Sequence, residues 1–225
     1  RLGANLFYTR LTGHGRDGAA LAEASVNDWL NDAIEALAIG RRLGERVVVI
    51  GNSTGGTLAT WLVASRSNDL LALVLLSPNF GLEDYRSEIL TLPWAHRLAP
   101  WLGGPEYGFE PVNPRHARYW TTRYPTIALL PMMALVQLVR TTPLDTVRVP
   151  VLTLYAPNDQ IIDIDALRAV HSRFGSPRKS LIEIEGVADP QQHVLAGDVL
   201  SPTTTDTVAD HIVEFVGNAA AEASP

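Results

Sequence analysis

Residues 51–55 read Gly-Asn-Ser-Thr-Gly, which places a serine between two glycines that lie two positions before and two positions after it. The apolar run 46–50 precedes this segment, and a helix-like stretch, 57–65, follows it. In a sharp turn between a strand and a helix, the serine hydroxyl is lifted out of the sheet, where it can act as a nucleophile. We expect both flanking positions to be small for steric reasons, and Gly56 to let the helix pack close to the sheet. The segment therefore predicts a nucleophilic Ser53, and the alternative interpretation is an ordinary glycine-rich turn.

A serine hydroxyl needs a base to accept its proton, and histidine most often fills that role. In folds built on such a turn, the chain order is serine, acid, histidine, which leaves three of the six histidines as candidates. His171 and His211 fall within predicted helices, and we expect them on helix surfaces. His193 lies in the irregular stretch 186–198 after a predicted strand, where loops carry functional side chains. We therefore predict His193 as the base.

The acid that orients the base is predicted to be Asp159. This residue follows the predicted strand 149–155 in a loop that reads Ala-Pro-Asn-Asp. Asp163 and Asp165 stand at a predicted helix start, where capping is a sufficient explanation for them. Asp198 comes after the histidine and breaks the chain order. An ionised carboxylate in this place would hold the imidazole and stabilise its charged form.

Predicted strands alternate with predicted helices through most of the chain, which indicates an α/β fold with a mostly parallel sheet. The predicted strands are 5–10, 46–50, 71–76, 149–155 and 180–185, and the predicted helices are 25–44, 57–65, 165–174 and 205–215. The alternation stops between residues 79 and 146, a stretch rich in Pro, Trp and Tyr. We interpret residues 1–78 and 147–225 as the core and residues 79–146 as a helical cap. The tail 219–225 is expected to be frayed.

The composition excludes several classes of function. The chain of 225 residues has a net charge of −6 and no cluster of basic residues, so nucleic acid is not expected as a partner. The absence of cysteine excludes disulfides, thiolate metal sites and a cysteine nucleophile. The longest apolar stretch, 127–139, contains Pro131 and Gln137 and is too short to span a bilayer. We expect a cytoplasmic protein without an integral membrane segment, although a chain that begins with Arg1 leaves secretion open.

No cofactor or metal is expected from the sequence. Residues 13–18 match the glycine pattern of dinucleotide-binding turns, but the region where such a site needs an acid is a predicted helix. Residues 51–57 come close to a phosphate-binding loop, but Thr57 stands where that loop has lysine. The spacing of His, Asp and Glu suggests no metal site.

These motifs resemble α/β-hydrolases of the carboxylesterase and monoacylglycerol-lipase kind. The resemblance rests on residues 10–15, 28–30, 51–56 and 155–159 together with His193. It covers both ends of the chain and says little about residues 79–146, which correspond to the variable cap. It implies a serine hydrolase that cleaves carboxylic esters through an acyl-enzyme on Ser53. A thioesterase or acyltransferase with the same residues, and a non-catalytic binding protein of this fold, are the alternatives.

The resemblance also raises the question of the oxyanion hole, which needs two donors. The backbone N–H of Thr54 is the expected first donor. The second donor is expected in N-terminal strands that precede this chain. In the family, the fourth strand leads into a Gly-His-Gly loop, and residues 13–15 lie at the same distance from the serine as that loop. Residues 5–10 would then be the fourth strand. Those strands could also be present as a separate, paired chain. In the alternative interpretation, residues 5–10 replace the third strand and 13–15 form the oxyanion turn; the strand that pairs with 47–50 would decide between the two.

Apolar residues of the predicted cap suggest an apolar acyl group in the substrate. The residues expected to contact it are Trp94, Trp101, Met132 and Met133. Methionine adapts to irregular ligand shapes, and both methionines of the chain fall in this segment. The best-fitting substrate is a medium-chain ester or a monoacylglycerol. The alternative is that these side chains belong to ordinary helix faces packed on the core.

Overall fold

The computed structural model describes residues 1–66, 70–97 and 103–223. Its strands are β1 (Val47–Asn52), β2 (Leu70–Leu76), β3 (Glu106–Gly108), β4 (Arg123–Pro125), β5 (Val151–Tyr155) and β6 (Lys179–Glu183). Its α-helices are α1 (Gly18–Glu23), α2 (Val26–Leu43), α3 (Thr54–Arg66), α4 (Pro114–Tyr119), α5 (Leu129–Thr141), α6 (Ile164–Arg173) and α7 (Thr205–Glu222). Short 3-10 helices cover Tyr85–Thr91, Thr126–Ala128 and Pro202–Thr204.

The central sheet has the strand order β1-β2-β5-β6, and every neighbouring pair is parallel. Strands β2 and β5 are nearly continuous apolar runs, as expected for strands that are covered on both faces. Because all four strands run the same way, their carboxyl ends lie at one edge of the sheet. The loops that follow β1, β5 and β6 begin at that edge, and they carry Ser53, Asp159 and His193. The predicted α/β fold with a parallel sheet is confirmed.

Alternate residues of the strands enter two separate hydrophobic clusters, because successive strand side chains point to opposite faces. Leu73 and Leu75 of β2 belong to the larger cluster, which also includes Trp29 of α2 and Leu58 of α3. Val74 belongs to the other cluster, which also includes residues of α7 such as Val208 and Val216. Burial of each large apolar side chain contributes about 1.5–3 kcal/mol to the stability of the fold. Packing on both faces therefore stabilises the sheet from whose edge the loops begin.

The helix ends follow the sequence closely. Ser25 and Asp28 form a capping box at the start of α2, and Gly44 ends that helix. The Asp163 side chain accepts a hydrogen bond from the Ala166 N–H at the start of α6, as expected for a capping residue. Helix α7, however, continues to Glu222, and Ala219 is buried. The prediction that the tail is frayed from residue 219 onward is therefore wrong for residues 219–222, and residues 224–225 lie outside the described residues.

Residues 5–10 were expected to form a strand, and this prediction is wrong. The segment has no strand pairing, its side chains are exposed, and the Asn5 amide donates instead to the Leu43 carbonyl. In the part of the chain that the structure describes, β1 pairs with β2 alone. The interpretation that residues 5–10 replace the third strand is thus also wrong. Strand propensity depends on a neighbouring strand and a surface to pack on, and this segment has neither.

Residues 79–146 contribute no strand to the central sheet in their described part. They contain the antiparallel pair β3–β4, the short helix α4 and the longer helix α5. Leu135 and Val139 of α5 are fully buried in the larger hydrophobic cluster. Much of α5 therefore packs on the core, and the division into core and cap stays a prediction. Among the described residues, the helices lack the combination of length and apolar character that a membrane span requires.

Candidate active site

Ser53 occupies the turn between β1 and α3 in a left-handed backbone conformation, with a φ of 51°. Such a conformation costs a residue other than glycine about 1 kcal/mol or more, so surrounding contacts must hold it. The Ser53 N–H donates to the Leu76 carbonyl of β2 at 2.9 Å. Its carbonyl accepts hydrogen bonds from the N–H groups of Gly56, Thr57 and Asn79 at 2.9, 3.2 and 3.1 Å. The backbone on both sides thus anchors the serine between the sheet and the helix.

Only one of the two glycines that flank Ser53 is required by sterics. A Cβ atom at Gly51 would lie 2.4 Å from the Gly55 carbonyl oxygen, and one at Gly56 would lie 2.8 Å from the Pro78 Cβ. A Cβ atom at Gly55 would meet nothing within 4 Å. The expectation that both flanking positions must be small is therefore wrong at Gly55, since α3 leads that position away from the strand.

Ser53, His193 and Asp159 meet in one hydrogen-bonded row. The Ser53 Oγ lies 2.9 Å from the His193 Nε2, and the His193 Nδ1 lies 2.8 Å from the Asp159 Oδ2. With the proton on Nδ1, the imidazole donates to the carboxylate and leaves Nε2 free to accept the serine proton. The arrangement can therefore activate the serine hydroxyl as a nucleophile.

The Asp159 carboxylate is held by more than the histidine. Its side chain has no exposed surface, and its Oδ1 accepts hydrogen bonds from the N–H groups of Ile161 and Ile162 at 2.8 and 3.2 Å. A buried carboxylate that lacked such donors would carry a large desolvation cost. The loop backbone thus orients Asp159 so that its Oδ2 faces the imidazole, whose side chain is 12% exposed.

The other predicted site residues lie in varied surroundings. Thr54 is the first residue of α3, so its N–H is one of the four in a helix that have no intrahelical acceptor. The Trp94 side chain is 69% exposed, and Met132 is half-buried against the core. Met133 has no exposed surface, and it therefore cannot contact a substrate in this structure. Trp101 lies outside the described residues.

His171 was expected on a helix surface, and this prediction is wrong. The residue is buried in α6, and its Nδ1 lies 2.9 Å from the hydroxyl of Thr153 in β5. Burial, together with the positive charge of Lys179, lowers the pKa of His171 to about 4. His171 is thus a neutral residue that ties a helix to the sheet. His211 is half-buried in α7.

Two buried polar residues beside His193 were missed from the sequence. Asp189 and Ser201 lie in the loop between β6 and α7, and their side chains bond to the backbone around His193. No motif marks them. The only available signal is an aspartate placed four positions before the histidine. Within the described ranges, no group of three or more His, Asp and Glu side chains is arranged to hold a metal ion.

A family model described as serine aminopeptidase S33 (Hydrolase_4) matches residues 2–188. The chain belongs to this family. The matched range includes Ser53 and Asp159 and ends before His193. A sequence search of curated proteins found no match.

Several solved structures share the fold of this S33-family chain. The structure of the metagenome-derived lipolytic enzymes LipS and LipT superposes with a TM-score of 0.76 at 19% identity, covering 93% of this chain and 80% of the other. Monoacylglycerol lipase from Paleococcus ferrophilus gives 0.68 at 18% identity, covering 92% and 81%. A soluble variant of monoglyceride lipase from Saccharomyces cerevisiae gives 0.67 at 14% identity, covering 92% and 75%. At these identities the likeness shows the α/β-hydrolase fold alone.

Proposed function

We propose that this protein is a serine hydrolase that cleaves carboxylic esters through an acyl-enzyme on Ser53. One observation carries the proposal: a continuous hydrogen-bonded row joins the Ser53 hydroxyl, the His193 imidazole and the buried Asp159 carboxylate. Membership of a family of serine hydrolases supports the same chemistry.

In the acylation step, the Ser53 Oγ attacks the ester carbonyl carbon while its proton passes to the His193 Nε2. The tetrahedral intermediate collapses, the bond to the alcohol oxygen breaks, and the imidazolium returns the proton to the leaving alcohol. In the second step, His193 takes a proton from water, whose oxygen attacks the acyl carbon. The bond from the acyl carbon to the Ser53 Oγ then breaks, the imidazolium returns the proton to Oγ, and the acid is released. Asp159 stabilises the imidazolium in both steps. These two reaction steps use protein groups and water alone.

The Thr54 N–H is the proposed donor to the oxyanion that forms on the carbonyl oxygen. It belongs to the residue after the nucleophile and lies at the amino end of α3, where the helix dipole also favours negative charge. Loss of one oxyanion donor typically costs about 3–4 kcal/mol of transition-state stabilisation.

For the substrate, we propose an ester with an apolar medium-chain acyl group, such as a monoacylglycerol. Two of the fold neighbours are named as a monoacylglycerol lipase and a monoglyceride lipase. The exposed Trp94 offers apolar surface for an acyl chain. The family description names an aminopeptidase, so cleavage of an amide bond to an N-terminal residue is the competing activity.

A fluorophosphonate probe tests the nucleophile. We expect the wild type to be labelled and to hydrolyse nitrophenyl esters, and Ser53→Ala to do neither. His193→Ala serves as a matched variant, because it keeps the nucleophile but loses the base, and its labelling rate should fall by a factor of about 10⁴ or more. Equal labelling of wild type and Ser53→Ala, or no labelling of either, would favour a binding protein of this fold.

A substrate panel tests the acyl preference. Nitrophenyl esters from acetate to laurate should show a maximum of kcat/KM at medium chain length, since each buried methylene adds about 0.8 kcal/mol of binding. Trp94→Ala should lower the ratio between laurate and acetate without changing the acetate rate. Equal rates along the series would refute the apolar acyl site. Faster cleavage of an aminoacyl anilide or of an acyl thioester would identify a peptidase or a thioesterase instead.

A further inference from the structure

The loop between β6 and α7 carries His193, but its regular structure is limited to an isolated bridge between Gly197 and Ser201 and the 3-10 helix Pro202–Thr204. Neither element includes His193. Gln192, the residue directly before the histidine, has a φ of 58°, in the left-handed region that favours glycine. A backbone in this conformation relaxes unless neighbouring groups hold it. The position of His193 must therefore depend on contacts made by other residues of the loop.

The Gln192 N–H and side-chain amide donate to the carbonyls of Asp189 and Val187, both at 2.8 Å. The Asp189 carboxylate supplies the contacts to the backbone on either side of Gln192. Its Oδ2 accepts hydrogen bonds from the N–H groups of His193 and Val194 at 3.0 and 2.9 Å, and its Oδ1 accepts one from the Gln191 N–H at 3.3 Å. Asp189 is 5% exposed. Hydrogen bonds to an ionised acceptor in such surroundings are stronger than those between neutral groups. One side chain thus bridges the strained turn and ends on the backbone of the histidine itself.

Ser201, at the far end of the same loop, holds Asp189 in place by hydrogen bonds. Its buried hydroxyl accepts a hydrogen bond from the Asp189 N–H at 3.1 Å and donates one to the Val194 carbonyl. A further backbone bond of 2.9 Å joins the Gln160 N–H to the Gln191 carbonyl. Since Gln160 follows Asp159, this bond ties the histidine loop to the loop of the acid.

We propose that Asp189 is a positioning residue, which sets the place of the His193 imidazole relative to Ser53 and Asp159. This inference rests on the proposed hydrolase activity. Asp189 contacts the main chain of His193 and not its ring, so it acts through the histidine and takes no part in proton transfer. Removal of its carboxylate lets the Gln192 turn relax and moves the base away from the serine hydroxyl.

The test compares Asp189→Ala and Asp189→Asn with wild type and with Asp198→Ala, a control that removes an exposed carboxylate from the same loop. A fluorophosphonate titrated to its end point counts the functional sites, so that kcat is expressed per site. We expect Asp189→Ala to lower kcat per site about 100-fold, the effect of a displacement near 1 Å, with KM within about twofold. The asparagine variant keeps an acceptor for His193 and Val194 but loses the bond to Gln191. It should fall between alanine and wild type, and Asp198→Ala should match wild type.

A merely structural role gives a different result: fewer labelled sites, each with the kcat of wild type. That outcome would overturn the inference while leaving the proposed function intact. If Asp189→Ala does not fold, the asparagine variant decides: a reduced kcat per site at unchanged KM supports positioning, and an unchanged kcat overturns it. A wild type that neither reacts with the probe nor hydrolyses esters would overturn the proposed function and this inference together.

Discussion

The turn at Ser53 and the loop at His193 hold their side chains by different physical means. Ser53 is fixed by backbone contacts: the close approach of Gly51 to Gly55, and the bonds of its own N–H and carbonyl, which include those to Leu76 and Asn79. His193 is fixed by polar side chains, chiefly Asp189 and Ser201, in a part of the loop that belongs to no helix or strand. The turn therefore depends on the absence of side-chain atoms, whereas the loop depends on their presence.

This difference predicts how each region responds to amino-acid substitution. Repulsion between atoms forced below contact distance rises steeply, so a wrong residue in the turn disrupts the backbone itself. A lost buried hydrogen bond costs about 1–3 kcal/mol, which a loop can absorb by shifting. We expect substitutions in the turn to act on stability as a whole and substitutions in the loop to act on stability and rate in smaller steps.

Gly51→Ala should have the largest effect on stability. Its Cβ would lie 2.4 Å from a backbone oxygen that no rotamer change can move. We expect the free energy of unfolding to fall by about 3 kcal/mol or more, as measured by urea unfolding followed by circular dichroism. A loss below 1 kcal/mol would show that the turn adapts and would remove its contrast with the loop.

Acid unfolding through His171 should have the next largest effect, and it must be separated from the titration of the site. Because the pKa of His171 in the folded protein is about 4, against 6.5 for an ordinary histidine, protonation favours the unfolded state. This stabilisation is complete above pH 6.5 and is lost as the pH falls toward 4. We expect roughly 2 kcal/mol to be lost over this range, after allowance for solvent screening.

His171→Gln tests this contribution, because glutamine can still bond to the Thr153 hydroxyl but does not titrate. The difference in unfolding free energy between wild type and variant should shrink as the pH falls. A difference that stays constant with pH would exclude His171 as the origin of acid lability. The activity of the variant at low pH would then report the histidine loop without interference from unfolding.

Ser201→Ala should have an intermediate effect that is confined to the loop. It leaves the Asp189 N–H and the Val194 carbonyl without their shared partner in a buried place. We expect a loss of about 1–2 kcal/mol in unfolding free energy and a kcat several-fold lower. Ser172→Ala, which removes an exposed hydroxyl from α6, is the matched control and should change stability by less than about 0.5 kcal/mol. Equal effects of the two substitutions would show that the Ser201 hydroxyl does not stabilise the loop.

Gly55→Ala should have the smallest effect and should sharpen the description of the turn. The position has open space and lies in the first turn of α3, where alanine is a better helix former than glycine. We expect stability to rise by up to about 0.5 kcal/mol in a thermal unfolding experiment. A loss above 1 kcal/mol would mean that the glycine has a conformational role that the available space does not reveal.

The amino-acid sequence carried the local features well, because their information lies in contiguous residues. The apolar runs of β2 and β5, the capping side chains Ser25 and Asp163, and the strand and helix around Ser53 all follow from neighbours along the chain. The structure brings Asp159 and His193 to Ser53, the three residues to which chain order and loop placement had pointed. Their catalytic role stays a proposal.

Features that depend on contacts between distant segments were decided by the tertiary structure alone. Residues 5–10 have strand-like composition but no strand beside them, and His171 has a helical pattern that does not reveal burial against Thr153. Asp189 is one of several loop carboxylates until folding brings the backbone of His193 onto it. Periodicity shows which face of an element is apolar. The partner of a polar group, in contrast, depends on how the elements pack against one another. The hydrogen bonds around His193 depend on such packing.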